Sequence, residues 1–177
     1  MKRFIAAGIV ALTTIALAVP ARAADTTTTF DVTAGSLSIS AAASADLGSG
    51  STGAGAITSQ LGTVSVTDAR GALLGAWTAS VSSTDFTTGT ATADETIAKA
   101  DLDYWSGAST SSSGTGVFTP GQLTALVAED LSASRTGFSA TAVVGNNSVD
   151  WDPTLVVNTS ADTVAGTYSG TVTHSVA

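Results

Sequence analysis

Gly75-Ala76-Trp77-Thr78-Ala79-Ser80-Val81-Ser82-Ser83 alternates residue by residue, with Trp77, Ala79 and Val81 on one face and Thr78, Ser80 and Ser82 on the other. A period of two is the mark of a strand with one buried face, because successive side chains leave a pleated backbone on opposite sides. The indole in the apolar row places Trp77 in a core. Upstream, residues 61–67 alternate with Val64 and Val66 inward, and Asp68-Ala69-Arg70-Gly71 reads as a turn, Asp opening it and Gly accepting positive φ. The two segments are expected to pair as a hairpin of sequential neighbours.

The same period recurs outward in both directions. Residues 26–32 put Phe30 and Val32 on one face, and residues 36–40 put Leu37 and Ile39 on one face. Strands are also expected around residues 102–105, 138–144 and 154–158, with residues 123–131 either a strand or irregular. Residues 94–99 admit a short helical turn. Residues 48–56 and 109–116, rich in Gly, Ser and Thr, read as loops. At the C-terminal end Tyr168, Gly170, Val172, His174 and Val176 share a face. A Tyr entering a late strand after a tight crossing has the form of a tyrosine corner, its hydroxyl bonding back to backbone near Val164. Many short strands, even turn spacing and no alternation with helices predict an all-β fold, an antiparallel immunoglobulin-like β-sandwich.

The chain has 177 residues, enough for one domain and hardly for two. With no Cys, disulfides, thiol chemistry and Cys-ligated metals are excluded. Six basic residues against 14 acids argue against nucleic acid as a partner, since phosphate would be repelled. The start reads Met1-Lys2-Arg3, an apolar run from Phe4 to Pro20, then Ala21-Arg22-Ala23. A basic start, an apolar middle and an A-x-A end form a secretory signal peptide over residues 1–23, leaving 24–177 as a single β-sandwich domain. Cleavage removes three bases and leaves Arg70, Lys99 and Arg135 against all 14 acids. No membrane association is expected after cleavage, and the location is extracellular or at the cell wall.

Little in the chain resembles catalytic material. His174 is the only imidazole, and no Gly-x-Ser-x-Gly elbow accompanies it, so no catalytic residue is assigned and the chain is read as a non-enzyme without cofactors. Asp101 and Asp103, and Asp150 and Asp152, are spaced to share strand faces; the acidic pairs are read as solvated faces, with calcium as the alternative, and no metal ligand is assigned. Tyr104 and Trp105 are adjacent and so face opposite ways, while Trp151 faces away from Asp150 and Asp152. Trp105 and Trp151 are the candidate ligand-contact aromatics, since exposed aromatics serve as platforms for sugar rings or partner surfaces.

Leu61-Gly62-Thr63-Val64-Ser65-Val66-Thr67-Asp68, then Trp77-Thr78-Ala79-Ser80-Val81-Ser82 and Thr84-Asp85-Phe86-Thr87, and the ending Ala165-Gly166-Thr167-Tyr168-Ser169-Gly170-Thr171-Val172-Thr173, together resemble the WxL-domain surface proteins of Gram-positive bacteria. Trp77-Thr78-Ala79 and His174-Ser175-Val176 stand where that family carries Trp-x-Leu. The resemblance implies a secreted β-rich domain held non-covalently at the cell wall through peptidoglycan. The expected partner is a cell-wall polymer or a surface protein. The alternative expectation is a pilin- or matrix-like subunit that assembles through an exposed edge strand.

Overall fold

The computed structural model describes residues 25–53 and 55–177; the expected signal peptide lies outside them. The chain divides into two units, Met1–Val32 and Thr33–Ala177. In the first, residues 25–32 form no strand, and Phe30 and Val32 are 88% and 85% exposed. Alternation there is not enough for a strand, because the backbone N–H and C=O groups also need a neighbouring chain to pair with.

The second unit is all-β and antiparallel, a β-sandwich. Its strands are β1 (Leu37–Ser40), β2 (Gly55–Gln60), β3 (Val64–Asp68), β4 (Leu73–Ser83), β5 (Phe86–Thr87), β6 (Thr96–Ile97), β7 (Leu102–Trp105), β8 (Ser109–Pro120), β9 (Glu129–Asp130), β10 (Arg135–Trp151), β11 (Thr154–Thr159) and β12 (Val172–Val176). The larger sheet holds β1, β3, β4, β8, β10 and β12, and the smaller runs β2-β11-β7-β9. Apart from β3 to β4 and the small β5–β6 pair, successive strands pass from one sheet to the other.

The 17-residue strand β10 organises the larger sheet. β8 follows one edge of it, from Phe138↔Pro120 to Trp151↔Ser109. β4 and β3 share the other edge end to end, β4 against residues 135–144 and β3 against residues 147–151. β3 and β4 are therefore not the expected hairpin. The Asp68–Gly71 turn does not reverse the chain; it interrupts one long partner of β10, and β1 and β12 continue the sheet outward from β3 and β4.

β10 cannot be straight. Phe138 and Trp151 are 13 residues apart, about 43 Å along an extended strand, yet their rings stack with centroids 5.0 Å apart. The bend falls where register shifts interrupt the ladder, between Ala140 and Ser148, and where Ala142 and Gly145 have positive φ. Gly114 in β8 and Gly71 and Leu74 beside β10 have positive φ at the same level. Bulges and left-handed residues thus line up across three strands and fold the sheet along a corner. Trp77, Ala79, Phe138 and Ala140 from one side of it pack with Val64, Val66, Val149 and Trp151 from the other in one buried cluster.

A polar chain pins the corner. The Trp77 indole N–H donates to Asn147 Oδ1 (2.9 Å), Asn147 Nδ2 donates to Asp68 Oδ2 (3.3 Å), and Arg70 holds both carboxylate oxygens of Asp68 at 2.8 and 3.0 Å. Arg70 also donates to the Ala76 carbonyl (2.9 Å). Asp68 is buried, and the Arg70 guanidinium holds its carboxyl below the ordinary carboxylate range. Residues 109–116, expected as a loop, are instead the exposed half of β8. Small polar side chains suffice there because the backbone ladder to β10 carries the pairing.

Candidate functional site

Between the sheets lies an open cleft of about 810 Å³. Its floor is aliphatic and aromatic: Ile57, Leu61, Val64, Phe86, Ile97 and Val157. One wall is the loop of residues 41–52, largely Ala, Ser and Gly; the other is residues 163–172 with His174. Among the described residues Asp46 supplies the one carboxylate in the lining.

The second wall is firmly held. Tyr168 donates its hydroxyl to the Val164 carbonyl (3.0 Å) and the Asp94 carbonyl (3.2 Å), so the expected tyrosine corner forms. Thr87 and Ser169 exchange backbone bonds at 3.0 Å each, and Thr171 N donates to Thr84 Oγ1 at 2.9 Å. Gly170 lies flat on the Phe86 ring, where a Cβ would overlap ring carbons; this is the physical content of the Gly-x-Tyr-x-Gly run. The opposite wall is lightly tied. Among the described residues its one side-chain hydrogen bond is Gly48 N to Asp46 Oδ1 (2.9 Å).

β12 and β2 bring side chains to the cleft, and both are edge strands. Among the described residues β12 pairs with β4 alone and β2 with β11 alone. Neither strand carries a charged residue or a Pro, the usual devices that keep an open edge from pairing with another chain.

His174 joins the cleft to the core. Its Nε2 lies 3.3 Å from the Tyr104 hydroxyl, which accepts from the Trp151 indole N–H at 3.4 Å. The Tyr104 hydroxyl then has its own proton to give to an unprotonated Nε2. Burial pushes the His174 pKa down to about 4 and the Tyr104 pKa up to about 12. Both groups are neutral at ordinary pH, and the three side chains tie β12, β7 and β10 together across the sandwich.

Trp151 corrects one expectation. It is 0% exposed, stacked on Phe138, and is a core residue and not a ligand-contact aromatic. Its face, opposite the two aspartates, is the one the bent sheet encloses. Trp105 is half-buried, on the face of β7 opposite buried Tyr104, and lies outside the cleft lining. Of the acidic pairs, Asp101 and Asp103 fall in different elements, whereas Asp150 and Asp152 keep to one face beside the hydroxyls of Ser65 and Thr63. Asp101 ends the 3-10 turn Lys99–Asp101, whereas Asp103 lies in β7 and accepts from Asn158 Nδ2 (2.8 Å). Asp150 accepts from Ser65 Oγ and Asp152 from Thr63 Oγ1 (2.7 Å). Among the described residues no group of three or more His, Asp or Glu stands where it could hold a metal ion.

The cleft was not read from the sequence. Residues 48–56 read as a loop by composition although β2 begins within them at Gly55, and the uncharged β12 reads as an ordinary strand. Comparison with protein-family models, curated proteins and solved structures finds no match to this chain.

Proposed function

We propose that this chain is a secreted, non-enzymatic cell-envelope protein of WxL-like kind that holds a surface partner non-covalently in the cleft between β2 and β12. The observation that carries the reading is the cleft itself, about 810 Å³ and floored by apolar side chains between two unpaired strand edges. Such a site favours an extended polypeptide, whose backbone adds to an edge while alternate side chains enter the floor. A wall glycan is the weaker fit: sugar recognition draws on exposed aromatic platforms, and Trp151 is enclosed. The free edges equally favour the second reading, an assembling structural subunit.

Retention on intact envelopes and on isolated peptidoglycan tests this. Wild-type chain should be retained on envelopes and released when their surface proteins are digested. Ala45→Trp, which fills the cleft from its exposed loop, should lose retention without losing stability. Equal retention of both chains on protein-free peptidoglycan would move binding to another face. Intact-mass analysis of released chain should give an N-terminus at Ala24; retention of Met1–Ala23 would remove the secretion argument.

A further inference from the structure

The cleft has two free edges and an apolar floor, and residues 26–32 have what would fill it. Thr26, Thr28, Phe30 and Val32 share one face of an extended chain, with Thr27, Thr29 and Asp31 on the other. In the single chain Phe30 and Val32 are almost fully exposed, although burial of each would be favourable. Seven residues span about 23 Å when extended, a length comparable with the six-residue β2 edge. The segment brings one carboxylate, Asp31, and among the described residues the cleft lining holds one, Asp46. Little charge therefore opposes insertion, despite the acidity of the whole chain.

We propose that the cleft takes residues 26–32 of a second copy of this chain as an added β-strand, with Phe30 and Val32 directed at the apolar floor. The proposal rests on the cleft being the binding site. Donor segment and acceptor cleft are different surfaces, so the contact is heterologous. Each copy can fill one neighbour and be filled by another; a series whose rotation does not close grows as an open ladder, whereas reciprocal exchange between two copies would stop at a dimer. Screening of the acidic surfaces by salt should promote it.

The test uses the chain as its host releases it, in sedimentation velocity over a concentration series at moderate salt. Wild type should form a ladder of species that grows with concentration, and Phe30→Asp should remain monomeric. A labelled peptide of residues 25–33 should bind the Phe30→Asp chain. It should bind at least tenfold more weakly when it carries Phe30→Asp itself, or when the acceptor also carries Ala45→Trp. The chain has no Cys, so Phe30→Cys and Val172→Cys preparations each carry one thiol. Mixed and oxidised, they should give more heterodimer than either gives homodimer.

A wild type that stays monomeric throughout overturns the proposal, as does a Phe30→Asp chain that associates like wild type. Peptide binding to Phe30→Asp alongside a monomeric wild type would mean that each chain fills its own cleft, which also overturns it. Failure of the peptide to bind while Ala45→Trp still abolishes envelope retention removes the second copy as occupant and leaves the cleft as the binding site. If Ala45→Trp affects neither, the reading of the cleft falls with it.

Discussion

Trp77 is both packed and hydrogen-bonded. It sits at 2% exposure beside the corner, and its indole N–H feeds the chain to Asn147, Asp68 and Arg70. Trp77→Ala should lower unfolding free energy by about 3–5 kcal/mol. Trp77→Phe, which keeps most of the volume but leaves Asn147 Oδ1 without its donor, should cost about 1–3 kcal/mol. Urea titration separates the two; an Ala variant within about 1 kcal/mol of wild type would place Trp77 outside the core. His174 sets a pH dependence. Its folded-state pKa of about 4 lies below the ordinary 6.5, so the unfolded chain binds the proton first. The stability that neutral His174 allows is complete above pH 6.5 and is lost as pH falls towards 4, by about 2–3 kcal/mol. Asp68 acts lower: its pKa is depressed chiefly by Arg70, so its contribution is present above the ordinary 3.8 and disappears as pH drops further. His174→Gln keeps an acceptor for Tyr104 without the titration and should flatten stability between pH 6.5 and 4. Parallel pH profiles for variant and wild type would sink this account.

Among the elements, the corner through β8, β10 and the β3–β4 line decides the shape. Gly114 has φ +87°, and a Cβ there would stand 2.5 Å from the Asn146 carbonyl oxygen and 2.8 Å from Asn147 Cβ. Gly114→Ala should therefore destabilise by about 1–3 kcal/mol, measured by thermal or urea unfolding. Gly145→Ala makes the comparison: it shares the positive φ but meets nothing within 4 Å, so it should cost less. Equal losses would show that φ alone, and not the close approach of β8 to β10, governs the bend. Several strands were legible from alternation alone. β7 falls on the expected residues, and β4, β11 and the inward row of β12 lie close to them. The pairing of β3 with β4 was not legible, because a turn signature marks where a chain departs from extended geometry and not where it goes next. Here the missing neighbour, β10, arrives some seventy residues later.

For the whole molecule, the acidic balance sets a salt response. Three bases against 14 acids in residues 24–177 leave a net repulsion that weakens once the screening length falls to about 8 Å at physiological salt. Sodium chloride should raise the melting temperature modestly. Calcium at matched ionic strength should add nothing, because among the described residues the aspartates do not gather into a group of three or more that could hold a metal ion. Thermal melts check this. A calcium-specific rise abolished by Asp101→Asn or Asp150→Asn would overturn the reading, since a ligand of the folded state alone stabilises by mass action.

The sequence by itself determined that the chain is all-β, that Trp77 faces a core, and that Tyr168 closes a corner on Val164. These are local matters: a period of two, and a Tyr four residues from its acceptor. Tertiary structure alone decided that β10 bends, that Trp151 is enclosed while Trp105 is only half covered, and that β2 and β12 leave an apolar cleft between them. Each of these depends on which strands meet across long stretches of chain. Alternation says that a side chain faces one way; only the neighbour on that side makes the face a core, a surface or an open edge.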